Sequence, residues 1–142
     1  MGMYTVLVLN VRLKKDLDPN VQTILINMVD GHEGEYDIPD HLFFQTPRWE
    51  FLGKGSSYYF DEEANSYFTF DKISQQHTLG IQSNLKNYGD EIDYFLDWIS
   101  QYVDSFHWEF KGYKRYEEWE DPQLIYWDSE KSKLVLVEIK PK

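Results

Sequence analysis

The densest group of chemically active side chains in this sequence is a run of carboxylates, Glu117, Glu118, Glu120 and Asp121. Paired carboxylates can carry out general acid–base catalysis, and their oxygens suit a hard cation such as magnesium. Adjacent residues of a strand point to opposite faces, so Glu117 and Glu118 do not converge on one site. The pattern therefore favours a solvated strand end, and a metal-dependent hydrolase through these carboxylates is the weakest of the hypotheses.

The histidines and serines have no catalytic spacing. His32, His41, His77 and His107 form no H-x-x-x-H pair, which would place two metal ligands on one helix face. The chain has no cysteine, and no serine stands in a G-x-S-x-G turn. The run Gly53-Lys54-Gly55-Ser56 is too short for a phosphate-binding P-loop. We predict no catalytic residue, no metal and no cofactor, and a non-catalytic protein is favoured.

Aromatic residues are abundant, with 5 Trp, 11 Tyr and 9 Phe in 142 residues. One small core rarely takes in so many, and aromatics with Arg are the residues that anchor protein interfaces. Two surface groups are predicted, one on a helix and one along a strand with its following turn. The alternatives are packing of the helical pair on C-terminal strands and an ordinary cross-strand ladder. The predicted partner-binding residues are Tyr94, Trp98, Tyr113, Arg115, Glu117, Glu118 and Trp119.

A second class of function, binding of a small ligand, would use polar and aromatic residues near the ends of elements, where loops commonly carry function. Stacking and charge together can hold a small planar ligand. The residues predicted for such a pocket are Arg48, Trp49, Lys86, Tyr88 and Arg115. This hypothesis requires a concave, partly apolar site, which residue spacing does not reveal.

Hydropathy patterns predict the elements that position these residues, beginning with a strand over Tyr4–Leu13. Apolar residues on both faces of its start are typical of a central strand. Asp18 and Pro19 then predict the N-cap and first turn of a helix, and Gly31 predicts its end. Its predicted buried face holds Val21, Ile24, Leu25 and Met28, and a long ordered loop follows from His32 to Trp49.

The rest of the chain predicts strands around one further helix. Asp90 is the predicted cap of that helix, whose apolar face holds Ile92, Phe95, Leu96, Ile99 and Val103. The predicted strands are a bent strand over Trp49–Leu52 and Ser57–Phe60, then Tyr67–Phe70, Gln76–Leu85, His107–Glu117, Leu124–Trp127 and Leu134–Ile139, with a polar turn at Asp61–Asn65.

The element order β–α–β–β–β–α–β–β–β predicts an α+β fold. Two helices on one face of a mostly antiparallel sheet would give a ferredoxin-like (split βαβ) layout with extra C-terminal strands. The length fits one domain over residues 1–142. No repeat, linker or change of composition divides the chain.

The charge balance indicates the kind of partner. With 14 Lys+Arg against 25 Asp+Glu the formal net charge is −11, which disfavours nucleic acid and anionic membranes and favours a basic partner. The alternative is that this charge only keeps an aromatic-rich protein soluble. The absence of cysteine and of a signal-peptide pattern predicts a cytoplasmic protein. Composition also allows a homodimer.

The C-terminal half of the chain resembles small bacterial and phage or mobile-element proteins that have no assigned function. The resemblance rests on Asn84-Leu85-Lys86-Asn87-Tyr88, on Glu91-Ile92 with Phe95-Leu96 and Trp98-Ile99, and on Gly112-Tyr113 with Arg115-Tyr116-Glu117. It implies a small cytoplasmic bacterial or phage protein and transfers no functional residue. The leading hypothesis is an acidic interaction protein that binds and blocks a basic protein partner, as immunity or inhibitor proteins do.

Overall fold

A six-stranded antiparallel sheet with the strand order β2-β3-β1-β4-β5-β6 dominates the fold. The computed structural model describes residues 4–31, 34–55 and 64–139. Its strands are β1 (Thr5–Arg12), β2 (Tyr67–Asp71), β3 (Gln76–Leu85), β4 (Phe110–Tyr116), β5 (Gln123–Asp128) and β6 (Lys133–Glu138). Its helices are α1 (Pro19–Asp30) and α2 (Glu91–Ile99), with short 3-10 helices at Leu42–Gln45, Trp49–Phe51 and Ser100–Tyr102.

The central position predicted for the first strand is confirmed, because β1 pairs with β3 on one side and β4 on the other. Leu7, Leu9 and Val11 are at most 1% exposed and face the helices. Val6, on the opposite face, is 3% exposed. Burial on both faces explains why the start of this strand is apolar at successive positions.

The local signals that predict α1 are confirmed at both of its ends. The Asp18 side chain accepts a hydrogen bond of 2.8 Å from the Asn20 N–H, and Pro19 is the first helical residue. Gly31 ends the helix in the left-handed conformation with φ of 72°. The predicted apolar face is the buried one.

The apolar face of α2 is likewise confirmed, and Asp90 stands at the N-cap position as predicted. Asp90 makes no side-chain capping bond and has φ of 58°. The Asn87 side-chain oxygen instead accepts from the Ile92 N–H at 2.9 Å. Both helices belong to one hydrophobic core with the facing side of β1. That core includes a cluster of aromatic rings formed by Phe43, Phe44, Trp49, Phe95 and Trp98.

The strand predicted at Trp49–Leu52 is wrong, because Trp49–Phe51 forms a 3-10 helix. This turn places Trp49 in edge contact with Phe43 and Phe44, and it leaves Phe51 59% exposed. Burial of one large ring therefore outweighs the strand preference of aromatic residues. Ser57–Phe60 lies outside the described residues, as do the first three residues of the polar turn predicted at Asp61–Asn65.

The strand predicted from His107 begins later, at Phe110. Trp108 has φ of 61°, and its N–H donates to the Trp127 carbonyl at 2.6 Å, which turns the chain before the ladder starts. A register shift between Phe110 and Gly112 follows. Gly112 has φ of 149°, and a Cβ there would lie 1.9 Å from the Val8 carbonyl oxygen. Only glycine allows β4 to approach β1 this closely.

The described residues form an α+β fold with the two predicted helices and six strands, of which β5 and β6 form a hairpin. The two remaining strands predicted before α2 are confirmed as the β2–β3 hairpin. Within the described ranges, no helix combines the length and apolar content that crossing a membrane requires.

Candidate partner-binding surface

The turn between β4 and β5 carries part of the acidic run, and backbone hydrogen bonds hold it in place. The Trp119 N–H donates to the Tyr116 carbonyl at 2.9 Å, and the Arg115 Nε donates to the Trp119 carbonyl at 2.9 Å. Glu117 accepts from the Tyr4 N–H at 2.7 Å, which ties the end of β4 to the start of the described chain. The side chains that follow Glu117 therefore project from a fixed turn.

An open cleft of about 430 Å³ lies between this turn and the end of β6. We call it the acidic cleft. It is lined by the carboxylates of Glu118, Glu120, Asp121 and Glu138, together with Trp119, Pro122, Gln123 and Ile139. Glu118, Glu120 and Asp121 form no ion pair with any residue in the described part of the chain.

The cleft offers hydrogen-bond acceptors beside an apolar surface. The buried Gln123 Oε1 has no hydrogen-bond partner among the described residues, while its Nε2 donates to Glu138 Oε1 at 3.4 Å. Exchanging the two amide atoms would turn an acceptor toward the Glu138 carboxylate, so this orientation is the favourable one. Trp119 is 36% exposed and Ile139 is 46% exposed. A ligand that fits both features carries N–H donors on an apolar stem.

Trp119 also lies beside a buried cation. The Lys114 Nζ is 5.9 Å from the centre of the Trp119 ring and 2.8 Å from Asp93 Oδ1, and Lys114 is 6% exposed. The Tyr116 ring meets Trp119 edge to face at 6.0 Å. These contacts fix the ring from the side of the sheet, so the exposed part of the indole is preorganised.

Two carboxylates act on the Tyr116 hydroxyl at this end of the sheet. Burial raises the pKa of the Tyr116 hydroxyl, and the carboxylates of Glu118 and then Glu117 raise the pKa further because they disfavour a phenolate. The same carboxylates would stabilise a cation that approaches this end of the sheet.

The structure divides the predicted partner-binding residues. Glu118 and Trp119 line the acidic cleft. Trp98 is 1% exposed and packs in the aromatic cluster, so its predicted role as a surface anchor is wrong. Tyr94 is partly buried against the same core. Contacts with the rings of Phe43 and Phe44, which are distant in sequence and which helical spacing does not reveal, bury Trp98 on this side of α2.

The strand group also separates into surface and structural positions. Tyr113 and Arg115 are half-buried on the sheet face opposite the helices, where they pair in register with Val8 and Val6. Glu117 follows β4 and bonds to the backbone of Tyr4. Cross-strand packing thus accounts for Tyr113 and Arg115, as the alternative of an ordinary cross-strand ladder predicts. Contact with the backbone of Tyr4 accounts for Glu117.

The residues predicted for a small-ligand pocket do not converge on one cavity. The Arg48 guanidinium lies 5.3 Å from the Tyr88 ring centre, and Lys86 lies 5.7 Å from that of Tyr4. Trp49 is 7% exposed and lines a separate cavity of about 280 Å³ beside Tyr36. Arg115 is engaged with the turn after β4. The predicted set is therefore distributed over different contacts.

Sequence spacing missed one cluster of metal-type ligands. His107, Asp128 and Glu130 have ligand atoms within 4.8 Å of one another. However, His107 Nδ1 already contacts the Ser129 hydroxyl at 2.9 Å, and Asp128 Oδ1 accepts from two turn N–H groups. These local bonds explain the cluster as a packed turn. Asp128 and Glu130 lie at the β5–β6 turn, and backbone hydrogen bonds of Trp108 and Glu109 with Trp127 bring His107 beside them, which no short motif reveals.

Surface aromatics, which composition predicts, are present at several places. Trp108 is 47% exposed and stacks on Tyr126 at 5.1 Å, and Phe110, 55% exposed, meets the edge of the same ring. These rings lie on the sheet face away from the helices. Comparison of the chain with protein family models, with curated proteins and with solved structures finds no match.

Proposed function

We propose that this protein is a non-catalytic binding domain that takes a basic segment of a protein partner into the acidic cleft. The observation that carries the proposal is the combination of four cleft carboxylates with an exposed Trp119 and no Lys or Arg among the described lining residues. Arginine fits best, since its planar guanidinium donates several hydrogen bonds and stacks on an indole.

The energetics follow from the positions of these groups. Exposed carboxylates contribute little each, but their shared field raises the rate at which a basic partner meets the cleft. Trp119 supplies the desolvated contact, and the cleft carboxylates supply acceptors for the donors of a basic side chain. We infer that the biological effect is occlusion, in which the domain covers a basic functional surface of its partner.

We also propose a ferredoxin-like fold and a cytoplasmic location for this protein. β1 and β2 both run antiparallel to β3, which separates them, and β4 lies on the other side of β1. This order supports a ferredoxin-like arrangement extended by β5 and β6. A chain without cysteine also suits the reducing cytoplasm, where we propose it acts.

Calorimetric titration with a synthetic arginine-rich peptide tests the proposed function. The peptide with citrulline in place of arginine keeps the shape without the charge and should not bind. We expect Trp119→Ala to weaken binding of the arginine peptide by about tenfold or more, as for a central interface aromatic. Trp108→Ala, which removes another exposed indole, should leave binding unchanged.

A pair of charge variants separates the cleft from overall charge. The cleft variant combines Glu118→Gln, Glu120→Gln and Asp121→Asn, and the control combines Glu35→Gln, Asp40→Asn and Glu50→Gln at exposed positions elsewhere. Both remove the same formal charge. We expect only the cleft variant to lose affinity strongly. Equal losses, or an unchanged affinity for Trp119→Ala in a folded protein, would show that the cleft is not the binding site.

A further inference from the structure

A second concave region lies at the end of β1 opposite to the end that pairs with Tyr116. This cavity of about 300 Å³ is formed between the last residues of β1 and the segment 105–111. Two cationic side chains, Arg12 and Lys111, line it together with the carboxylate of Glu109 and the neutral side chains of Asn10, Thr78 and Ser105. In a protein of net charge −11, two neighbouring cations at one cavity call for a physical reason.

The positive charge of this cavity is only partly compensated. Arg12 is exposed and forms no ion pair or side-chain hydrogen bond with any residue in the described ranges. The Lys111 side chain is 10% exposed, and its Nζ lies 3.7 Å from Glu109 Oε2. The other oxygen of Glu109 accepts from the Phe106 N–H at 2.7 Å. One carboxylate therefore lines the cavity with the two cations, and a second, Asp71 at the end of β2, acts on Arg12 from beyond ion-pair distance.

The pKa of Lys111 responds to burial and to its charged neighbours Glu109 and Arg12. Burial lowers the pKa of its ammonium group, the Glu109 carboxylate opposes that shift, and the Arg12 charge lowers the pKa further. Like charges that are held close together and partly desolvated are stabilised when an anion lies between them. The side chains that line the cavity thus carry one more positive than negative charge.

Neutral donors complete the lining. The Asn10 Oδ1 accepts from the Tyr67 hydroxyl at 2.9 Å, which leaves the amide N–H groups of Asn10 as donors. The hydroxyls of Thr78 and Ser105 have no hydrogen-bond partner in the part of the chain that the structure describes. Two cations and three neutral donors match an oxyanion with several acceptor oxygens.

We propose that this cavity binds the phosphate group of a small aromatic phosphate monoester. A phosphate has the oxygens and the double charge to engage both Arg12 and Lys111, whereas a carboxylate has two oxygens and one charge. Phe106, 78% exposed, lies at the same cavity and offers a ring face to the organic part of the ligand. The volume lies at the lower end of the range for small-molecule sites. This inference is independent of the acidic cleft.

An amide NMR titration of the full chain with phenyl phosphate tests the proposal. We expect saturable shifts at Arg12, Thr78, Phe106 and Lys111, and weaker binding of inorganic phosphate, which lacks the ring. Arg12→Gln and Lys111→Gln should each weaken binding of phenyl phosphate by about tenfold. Lys15→Gln, which removes an exposed cation elsewhere, should bind phenyl phosphate as the unaltered chain does.

Three outcomes would overturn the proposal. One is an absence of saturable shifts, and another is unchanged affinity in both cavity variants when their spectra show a folded protein. The third is that benzoate binds as tightly as phenyl phosphate, which would exclude selection for phosphate. The triple variant of the acidic cleft should retain phenyl phosphate binding, so the failure of one site is distinguishable from the failure of the other.

Discussion

Glu91 shows how a single charged residue can be structural in an acidic protein. It is fully buried, and its carboxylate accepts hydrogen bonds from the Gly89 N–H at 3.0 Å and the Arg48 N–H at 3.2 Å. The Arg48 Nη1 lies 3.7 Å away, and the positive end of the α2 dipole lies next to the carboxylate. One side chain therefore joins the start of α2 to the 3-10 turn that precedes it in sequence.

We expect Glu91→Ala to lower the free energy of unfolding by about 2–4 kcal/mol, because it leaves two backbone donors and a guanidinium without their acceptor. Glu91→Gln keeps one acceptor oxygen and should cost less. Urea unfolding measures both losses. Glu50→Ala, at an exposed position, is the matched control and should change stability by less than about 0.5 kcal/mol. A similar small effect for Glu91→Ala would contradict this assignment.

His77 gives the fold a pH dependence of known sign. Its ring stacks on Phe68 at 4.7 Å and meets the edge of Phe70 at 5.0 Å, and burial lowers its pKa. Below the ordinary histidine pKa of about 6.5 the unfolded chain takes up a proton that the folded chain resists. Stability contributed by neutral His77 is therefore present above that pH and is lost as the pH falls toward the folded pKa.

We expect His77→Phe, which keeps an aromatic ring and cannot titrate, to reduce the loss of stability between about pH 7.5 and about pH 5.5. The measurement is the difference in unfolding free energy between these two conditions. His107→Gln, which replaces an exposed histidine, should keep the pH dependence of the unaltered chain. An identical pH dependence in His77→Phe would exclude this histidine as the cause.

At the scale of elements, the sequence predicts what local chemistry determines. Three residues define the ends of α1, because each acts on the adjacent backbone. Asp18 caps the helix, Pro19 occupies its first turn and Gly31 ends it. For α2 the sequence predicts Asp90 as the cap, whereas the side chain that accepts from the first turn is that of Asn87. Trp49 is misassigned to a strand because its burial depends on rings that are distant in sequence.

We expect Asn87→Ala to cost about 1 kcal/mol of stability, since it removes the acceptor for the Ile92 N–H. Asp90→Gly should be neutral or stabilising, because the φ of 58° suits glycine and no capping bond is lost. Chemical unfolding of the two variants compares them directly. The reverse order, with Asp90→Gly the more damaging, would show that Asp90 is the functional cap.

The acidic cleft shows which part of a surface can be predicted and which cannot. Glu118 and Trp119 follow from composition and from the density of charge. Glu138 and Ile139 join them only because Gln123 pairs with Glu138 across the β5–β6 hairpin, and register over such a distance is not encoded in any local motif. The sequence therefore predicts an acidic surface with an exposed aromatic residue, while the pairing of β5 with β6 determines the shape of the cleft.

At the scale of the whole molecule, the net charge of −11 is unevenly distributed. Four carboxylates meet at the acidic cleft, whereas two partly uncompensated cations meet at the opposite end of β1. Long-range attraction of a basic partner arises from the total charge, and the final position of that partner depends on the local arrangement. Added salt should therefore slow association more than it speeds dissociation.

The most direct test of the central claim is an amide NMR titration of the full chain with the arginine-rich peptide. The account predicts saturable shifts that cluster at residues 118–121, 123 and 138–139, with Trp119 among the strongest, and no such shifts with the citrulline peptide. Shifts spread over acidic residues throughout the surface, or centred on the exposed residues Glu35, Asp40 and Glu50, would contradict it. In that case the total charge, rather than the acidic cleft, would account for attraction of the peptide.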